Sequence, residues 1–298
     1  MKPKIMVIGS YAVGMTMKTK RMPKQGETVM GQNFVQIAGG KGSNQAIAAA
    51  RLGADVMFYT CLGNDQMGDN ALKMYASEGI DASLIKRSKT FSTGVGFVIV
   101  DDSGNNSIVI DLGANLDISP ADIEAIEPHI NNCGFLLLQN EVNLDAVKKA
   151  IIVAKQNGVK IIYDPAPYAP IPDKYLSMVD ILTPNEHEAT MLIGADKRTS
   201  PDQLAQALEA KGIDTVIITL GGSGCLVRKE GHSTVYPAPK VEVVDSTGAG
   251  DTFSGALAVS LSEGASIDNA VTFACRAASI SVTRYGVVES IPYRTQLK

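Results

Sequence analysis

Asp245-Ser246-Thr247-Gly248-Ala249-Gly250-Asp251-Thr252-Phe253-Ser254-Gly255-Ala256 is the stretch around which the rest of the chain can be read. Gly248, Ala249 and Gly250 crowd a turn, and the apolar-periodic segment Phe253, Ala256, Leu257, Val259, Ser260, Leu261 follows. The spacing predicts a helix over Asp251 to Glu263 with the glycines just before it. A helix start offers N–H groups without intrahelical acceptors and the positive end of the helix dipole, and glycine or alanine lets the backbone approach a phosphate closely. Asp251, in the first turn, is expected to stay ionised. Beside an anion hole it can take a proton from a hydroxyl as that oxygen attacks phosphorus. The same residues also suit a glycine-rich loop with Asp251 as a helix cap.

At 298 residues with 45% hydrophobic composition the chain is globular and buries a sizeable core. With 27 basic and 31 acidic residues and no block of like charge, nothing marks a nucleic-acid or membrane partner. Cys61, Cys133, Cys225 and Cys275 are scattered without a Cys-x-x-Cys pair, which fits reduced thiols in a cytoplasmic protein. His129, His187 and His232 are equally dispersed. No apolar run reaches the roughly 20 residues of a membrane span, and the first residues are expected to lead straight into a strand at Lys4 instead of a signal peptide.

From residue 135 on, strands and helices alternate. Strands are expected at Phe135 to Gln139, Lys160 to Tyr163, Val179 to Leu182 and Thr215 to Thr219, with helices at Leu144 to Gln156, after Asn185, at Pro201 to Lys211 and at Ile267 to Thr283. Such alternation implies right-handed crossovers, a mainly parallel sheet covered on both faces and ligands at the carboxyl ends of the strands. Two stretches break it. Tyr11 to Phe34 is polar, with Met15 to Lys20 alternating at period 2, which would put Lys18 and Lys20 on one strand face, and Thr93 to Val100 with Asn106 to Asp111 reads as a hairpin. Together they predict a small antiparallel layer in a single α/β domain. Gly-x-x-x-x-Gly-Lys-Ser/Thr is absent, and Gly9 to Gly14 does not make Gly-x-Gly-x-x-Gly, so neither a P-loop enzyme nor a dinucleotide dehydrogenase is indicated.

Gly39-Gly40-Lys41-Gly42-Ser43-Asn44 offers close backbone approach with two polar side chains suited to vicinal hydroxyls, although a glycine-rich helix start of purely structural use reads the same way. Asn185 and Glu188, three apart, are expected on one helical face, where an amide and a carboxylate can organise phosphate and hydrated Mg²⁺; an ordinary capping box is the other reading.

Asp245 to Phe253 resembles the C-terminal motif of the ribokinase family of ATP-dependent sugar kinases, and Gly39 to Ala46 resembles its N-terminal motif. Motif order and element spacing match from Ile5 to Pro292. The resemblance implies a three-layer α/β fold whose mainly parallel sheet is flanked by helices, with a small β lid inserted at about 11–36 and 91–112. It implies a kinase that transfers the γ-phosphoryl group of ATP to a sugar or polyol hydroxyl, with Asp251 as base and the amides of Gly248, Ala249 and Gly250 as anion hole. Gly40, Lys41, Asn44 and Glu141 fall at sugar-binding positions. Asn185, Glu188, Thr219, Gly221 and Gly250 fall at nucleotide positions, Glu188 also holding Mg²⁺ through water, and Phe273 to Arg276 where the adenine pocket is built. Asp245, Thr247, Ser281, Gly286 and Ser290 match a monovalent-cation site, for which K⁺ is expected. A cytoplasmic homodimer through the lid is implied as well.

One departure concerns the substrate. Two family positions that grip ribose hydroxyls with Asn and Asp are Ala12 and Gly14 here, so ribose is expected to be a poor substrate beside a deoxy sugar, hexose, polyol or sugar phosphate. Tyr11 or Thr16 are possible substitutes, and Lys18, Lys20 or Arg21 could meet a phosphate. A sugar or nucleotide sensor without turnover is the second reading, opposed by the retained Asp251, anion-hole glycines, Asn185 and Glu188.

Overall fold

The structure, a computed structural model, describes residues 4–297; residues 1–3, where the chain was expected to enter its first strand, lie outside them. In chain order the elements are β1 (Lys4–Ile8), β2 (Ala12–Thr19), β3 (Gly31–Gly39), α1 (Lys41–Arg51), β4 (Asp55–Tyr59), β5 (Cys61–Gly63), α2 (Gln66–Ser77), β6 (Lys86–Ser88), β7 (Gly94–Asp101) and β8 (Asn106–Asp111). Then come α3 (Pro120–Ala125), α4 (Glu127–Ile130), β9 (Phe135–Leu138), α5 (Leu144–Gln156), β10 (Lys160–Tyr163), α6 (Asp173–Leu176), β11 (Ile181–Leu182) and α7 (Glu186–Ile193). The remainder is α8 (Pro201–Glu209), β12 (Thr215–Thr219), β13 (Cys225–Lys229), β14 (His232–Tyr236), α9 (Ala249–Ser262) and α10 (Ile267–Ser281).

Eight strands form the central sheet in the order β14-β13-β12-β11-β10-β9-β1-β4. It is parallel from β4 to β12, and β13 and β14 close the edge antiparallel. Alternate residues of β1 feed opposite cores. Ile5 and Val7 pack with buried residues of α1, α9 and α10, while Met6 and Ile8 pack with those of α3, α5 and α8. A strand buried on both faces must be apolar at every position, and Ile5-Met6-Val7-Ile8 is. The result is a three-layer α/β arrangement.

A second sheet, in the order β3-β2-β7-β8, stands outside these layers. It is mixed, not antiparallel as the sequence suggests, because the central pair β2 and β7 runs parallel from Ala12 opposite Gly94 to Thr19 opposite Asp101. The ladder of β2 ends at Thr19, so Lys20 is off the strand and does not share a face with Lys18.

Candidate active site

The exits of β1, β9, β10, β11 and β12 converge at one end of the sheet. Ser10, Glu141, Asp164 and Asn185 follow the first four and Thr219 ends β12, where a parallel sheet leaves its crevice. The start of α1 is pressed into this crevice by two glycines. A Cβ at Gly40, whose φ is 93°, would stand 2.7 Å from Tyr11 Cα, and one at Gly42 would stand 2.5 Å from the Gly9 carbonyl carbon. Helix α1 is therefore held against the exit of β1. The backbone amide of Lys41 donates to Glu141 Oε2 at 2.9 Å, and Ser10 Oγ donates to the same oxygen.

Helix α9 begins at Ala249, two residues earlier than the sequence pattern suggests, because Gly248 takes the left-handed N-cap conformation at φ 77°. Ala249 and Gly250 thus lie inside the first turn with Asp251. Of the three expected anion-hole amides, that of Ala249 is turned to Ser246 O at 3.3 Å. A Cβ on Gly250 would meet nothing within 4 Å, so its backbone faces open space.

Asp251 is buried, and its carboxylate is held from α1. Asn44 Nδ2 donates to Oδ2 at 2.8 Å, Gln45 Nε2 to Oδ1 at 3.3 Å, and Lys41 Nζ stands 4.0 Å away. Burial pushes the Asp251 carboxyl above its ordinary range, against the pull of Lys41 and Asn44. The helix start lies in the protein interior, where desolvation outweighs these partners. A carboxylate of raised basicity is a better proton acceptor near neutral pH.

Asp164 was not singled out by sequence reasoning. It receives Gln45 Nε2 at 3.1 Å and Lys41 Nζ at 3.6 Å, and burial pushes its carboxyl up to about 7 despite Lys41. Lys41 loses by desolvation but is driven further up by Asp164, Asp251 and Glu141, so it stays charged. Gln45 was inside the quoted motif and passed over; its Oε1 accepts from Gln139 Nε2 at 2.6 Å, which fixes its amide toward both carboxylates. The available signal for Asp164 was its place directly after the buried strand β10, before Pro165.

Asn185 is not on the helical face beside Glu188 but caps α7. Its Oδ1 accepts from the Glu188 amide at 2.8 Å, and Glu188 Oε2 accepts from the Asn185 amide at 2.9 Å, forming a reciprocal capping box. Both nonetheless line a small cavity with Lys41, Asp164, Thr219 and Gly250. Thr219 and Gly250 also border an adjoining cleft with Gly221, Phe253 and Cys275. Phe273 is not among the residues lining that cleft; it lies under the Arg294 guanidinium, 5.0 Å from the ring centroid.

On the other side of Gly40 a cavity of about 450 Å³ runs from Ser10 and Glu141 under the second sheet, bordered by Ala12, Gly14 and Thr16. Tyr11 is not available to it as a hydrogen-bonding substitute: its ring is buried, edge-on to Tyr75 at 6.1 Å. Arg21 is paired with Glu27. Asp245, Thr247 and Gly286 are linked, since Asp245 Oδ1 accepts from Thr247 Oγ1 at 2.7 Å and Oδ2 from the Gly286 amide at 3.3 Å. The hydroxyls of Ser281 and Ser290 instead donate to Ala278 O and Val287 O at 2.8 Å. Arg51 holds this last segment by donating to Val288 O and Ile291 O at 2.6 and 2.8 Å.

Comparison with known proteins gives one answer. The chain matches the description "pfkB family carbohydrate kinase" over residues 2–294. It is 41% identical to a ribokinase of Haemophilus influenzae, covering 99% of this chain and 97% of that protein. It is 35% identical to a deoxyribokinase of Salmonella typhi, covering 97% and 95%. The structure of Arabidopsis thaliana ribokinase complexed with ribose and ATP superimposes with a TM-score of 0.92 at 33% identity, covering all of this chain and 98% of that one.

Proposed function

The chain belongs to the pfkB family of carbohydrate kinases and is an ATP-dependent sugar kinase of the ribokinase type, and from that premise we propose how its residues divide the work. Asp251 accepts the proton of the attacking sugar hydroxyl. The observation that carries this role is its burial with both oxygens held from α1, so that the carboxylate is positioned before substrate arrives. The amides at Gly248 and Gly250 face the charge that develops on the transferred phosphoryl group, and Ala249 joins them once its bond to Ser246 opens. Asn44 Oδ1 is buried without a partner, an acceptor waiting for a sugar hydroxyl, and Glu141, Lys41 and the backbone at Gly40 complete that grip.

ATP fits the cleft at Thr219 and Gly221, where a Cβ on Gly221 or Gly250 would meet nothing within 4 Å and the backbone can approach a phosphate. Asn185 and Glu188 stand beside the small cavity that joins this cleft to Lys41, and the oxygens of Asp164 and Glu188 suit a hydrated Mg²⁺ held through water. Mg²⁺ when bound would neutralise phosphate charge. Lys41 keeps its proton and faces the same charge. The linked Asp245, Thr247 and Gly286, with carbonyls near Ser281 and Ser290, are suited to K⁺, which would brace the loop ahead of α9.

A single α/β domain with β2, β3, β7 and β8 as a lid over the sugar cavity is part of this reading. The lid face turned away from that cavity leaves Met17, Phe34, Phe97 and Val109 exposed, which supports a homodimer through the lid. Four unpaired cysteines support a cytoplasmic setting, and no helix among the described residues is long and apolar enough to cross a membrane.

Ala12 and Gly14 both lie on the cavity side of β2, so ribose loses two gripping side chains and is expected to be a poor substrate. The test is ATP consumption over free pentoses, hexoses, deoxy sugars, polyols and their monophosphates. Turnover with none of them would refute the kinase reading, and ribose clearly leading would refute the substrate preference.

A further inference from the structure

We propose that the preferred substrate is a sugar carrying an apolar group, alkyl or aryl, at the end remote from the hydroxyl that meets Asp251. This deepens the kinase reading and rests on it. The lid places one row of residues across its four strands: Ile37 opposite Gly14, Gly14 opposite Gly96, and Gly96 opposite Ile110. All four border the 450 Å³ cavity. With strands about 4.8 Å apart, the two isoleucines stand as walls roughly 14 Å from one another with a bare backbone floor between them.

Neither glycine is required by its backbone. Gly14 and Gly96 lie in ordinary extended strands and are absent from the positive-φ residues of this chain. Neither is required by packing: a Cβ would find only Ile37 O at 3.6 Å from Gly14, and only Ile110 Cγ1 at 3.9 Å from Gly96. Glycine in a strand interior weakens the strand, and two side by side under an open cavity mark a place where something else lies close to the backbone. The neighbouring wall residue, Val98, is apolar, and Ala12 replaces an amide of the family pattern. The Asn115 amide is already committed to Tyr11 O and Leu112 O, both at 2.8 Å. Polar side chains on the lid side of this cavity, Thr16 and Asn106, lie outside the row of Ile37, Gly14, Gly96 and Ile110, so hydroxyls placed on the row itself meet no side-chain partner within it, whereas CH₂ or ring carbons would gain by burial.

The cavity runs from Ser10 and Glu141 to this floor, so a free sugar gripped at Glu141 and Asn44 would leave a slot two strands wide in contact with water. Each methylene moved from water onto such a floor is worth roughly a three- to fourfold gain in binding.

The experiment measures kcat/KM with ATP for ribose and for methyl, butyl and phenyl ribosides, with calorimetric binding of the same compounds in the presence of ADP read in parallel. The expected result is a rise of at least about tenfold from ribose to the butyl or phenyl riboside. In Gly96→Val, or in Gly14→Val should the first variant melt early, the ratio of substituted to free sugar should collapse toward one because the added side chain covers the floor. A flat or falling series in the native protein overturns the inference, as does a rise that survives in the folded variant. Turnover of free sugars without that rise leaves the kinase reading standing and removes only the apolar subsite. If no compound is turned over, butyl riboside bound no tighter than ribose overturns the inference by itself.

Discussion

Replacing Asn44 by alanine tests how Asp251 is held. In the native protein Asn44 Nδ2 donates to Asp251 Oδ2 at 2.8 Å, and this bond favours the ionised form of a carboxyl that burial otherwise pushes up. A hydrogen bond to a charged group contributes about 1.5–3 kcal/mol, and about 1.4 kcal/mol is a factor of ten in an equilibrium. Without Asn44 the protonated form of Asp251 gains by that amount. A base must be deprotonated to work, so the acid limb of kcat/KM moves to higher pH. The expected loss is about ten- to a hundredfold on the acid side of the profile, shrinking as pH rises past the new limb. A second effect, loss of the unpartnered Asn44 Oδ1 as a hydroxyl acceptor, raises KM at every pH and is separable because it does not titrate. The assay is a coupled ADP-release measurement from pH 5 to 9 on both proteins. A loss equal at all pH values would refute the claim that Asn44 tunes Asp251.

Three further outcomes follow from the same geometry. Gly40→Ala should lower thermal stability by about 2–4 kcal/mol, since a Cβ there meets backbone of Tyr11 and Ala12 below 3 Å at a φ of 93°, and should cut activity by displacing Lys41 and Asn44; an unchanged melt would contradict the close approach. Potassium should raise the rate over sodium at matched ionic strength, and equal rates would remove the cation from the account. Ala12→Asn combined with Gly14→Asp should raise turnover of free ribose by restoring hydroxyl partners on the cavity side of β2; no change would show that neighbouring groups already serve it.

The layers were legible because they rest on local pattern. Leu144–Gln156, Lys160–Tyr163 and Thr215–Thr219 have the residue bounds that periodicity predicts. Other bounds moved for reasons that periodicity does not carry. The strand expected from Val179 shrinks to Ile181–Leu182 because the Asp180 carboxylate itself accepts from the Ile161 amide at 2.9 Å and from Lys160 Nζ at 2.8 Å, taking the place of a ladder bond. The parallel pairing of β2 with β7 joins segments some eighty residues apart, and nothing local encodes strand direction between them. At the site, Lys41, Asn44 and Asp251 stand in motifs. Asp164 and Gln45 matter only through burial beside those residues, which a linear reading does not bring together.

The most direct measurement is single-turnover phosphoryl transfer by Asp251→Asn on the sugar the native protein uses best, with ATP-analogue binding followed by calorimetry on the same sample. The substitution keeps the size of the side chain and removes the proton acceptor; Gln45 can still donate to the new amide oxygen, and a flip of the Asn44 amide brings its unpartnered Oδ1 round to accept from the new NH₂. The expected result is transfer slowed by several orders of magnitude with the melt and nucleotide binding preserved. Transfer at the native rate would mean that another group takes the proton and that the site has been read wrongly.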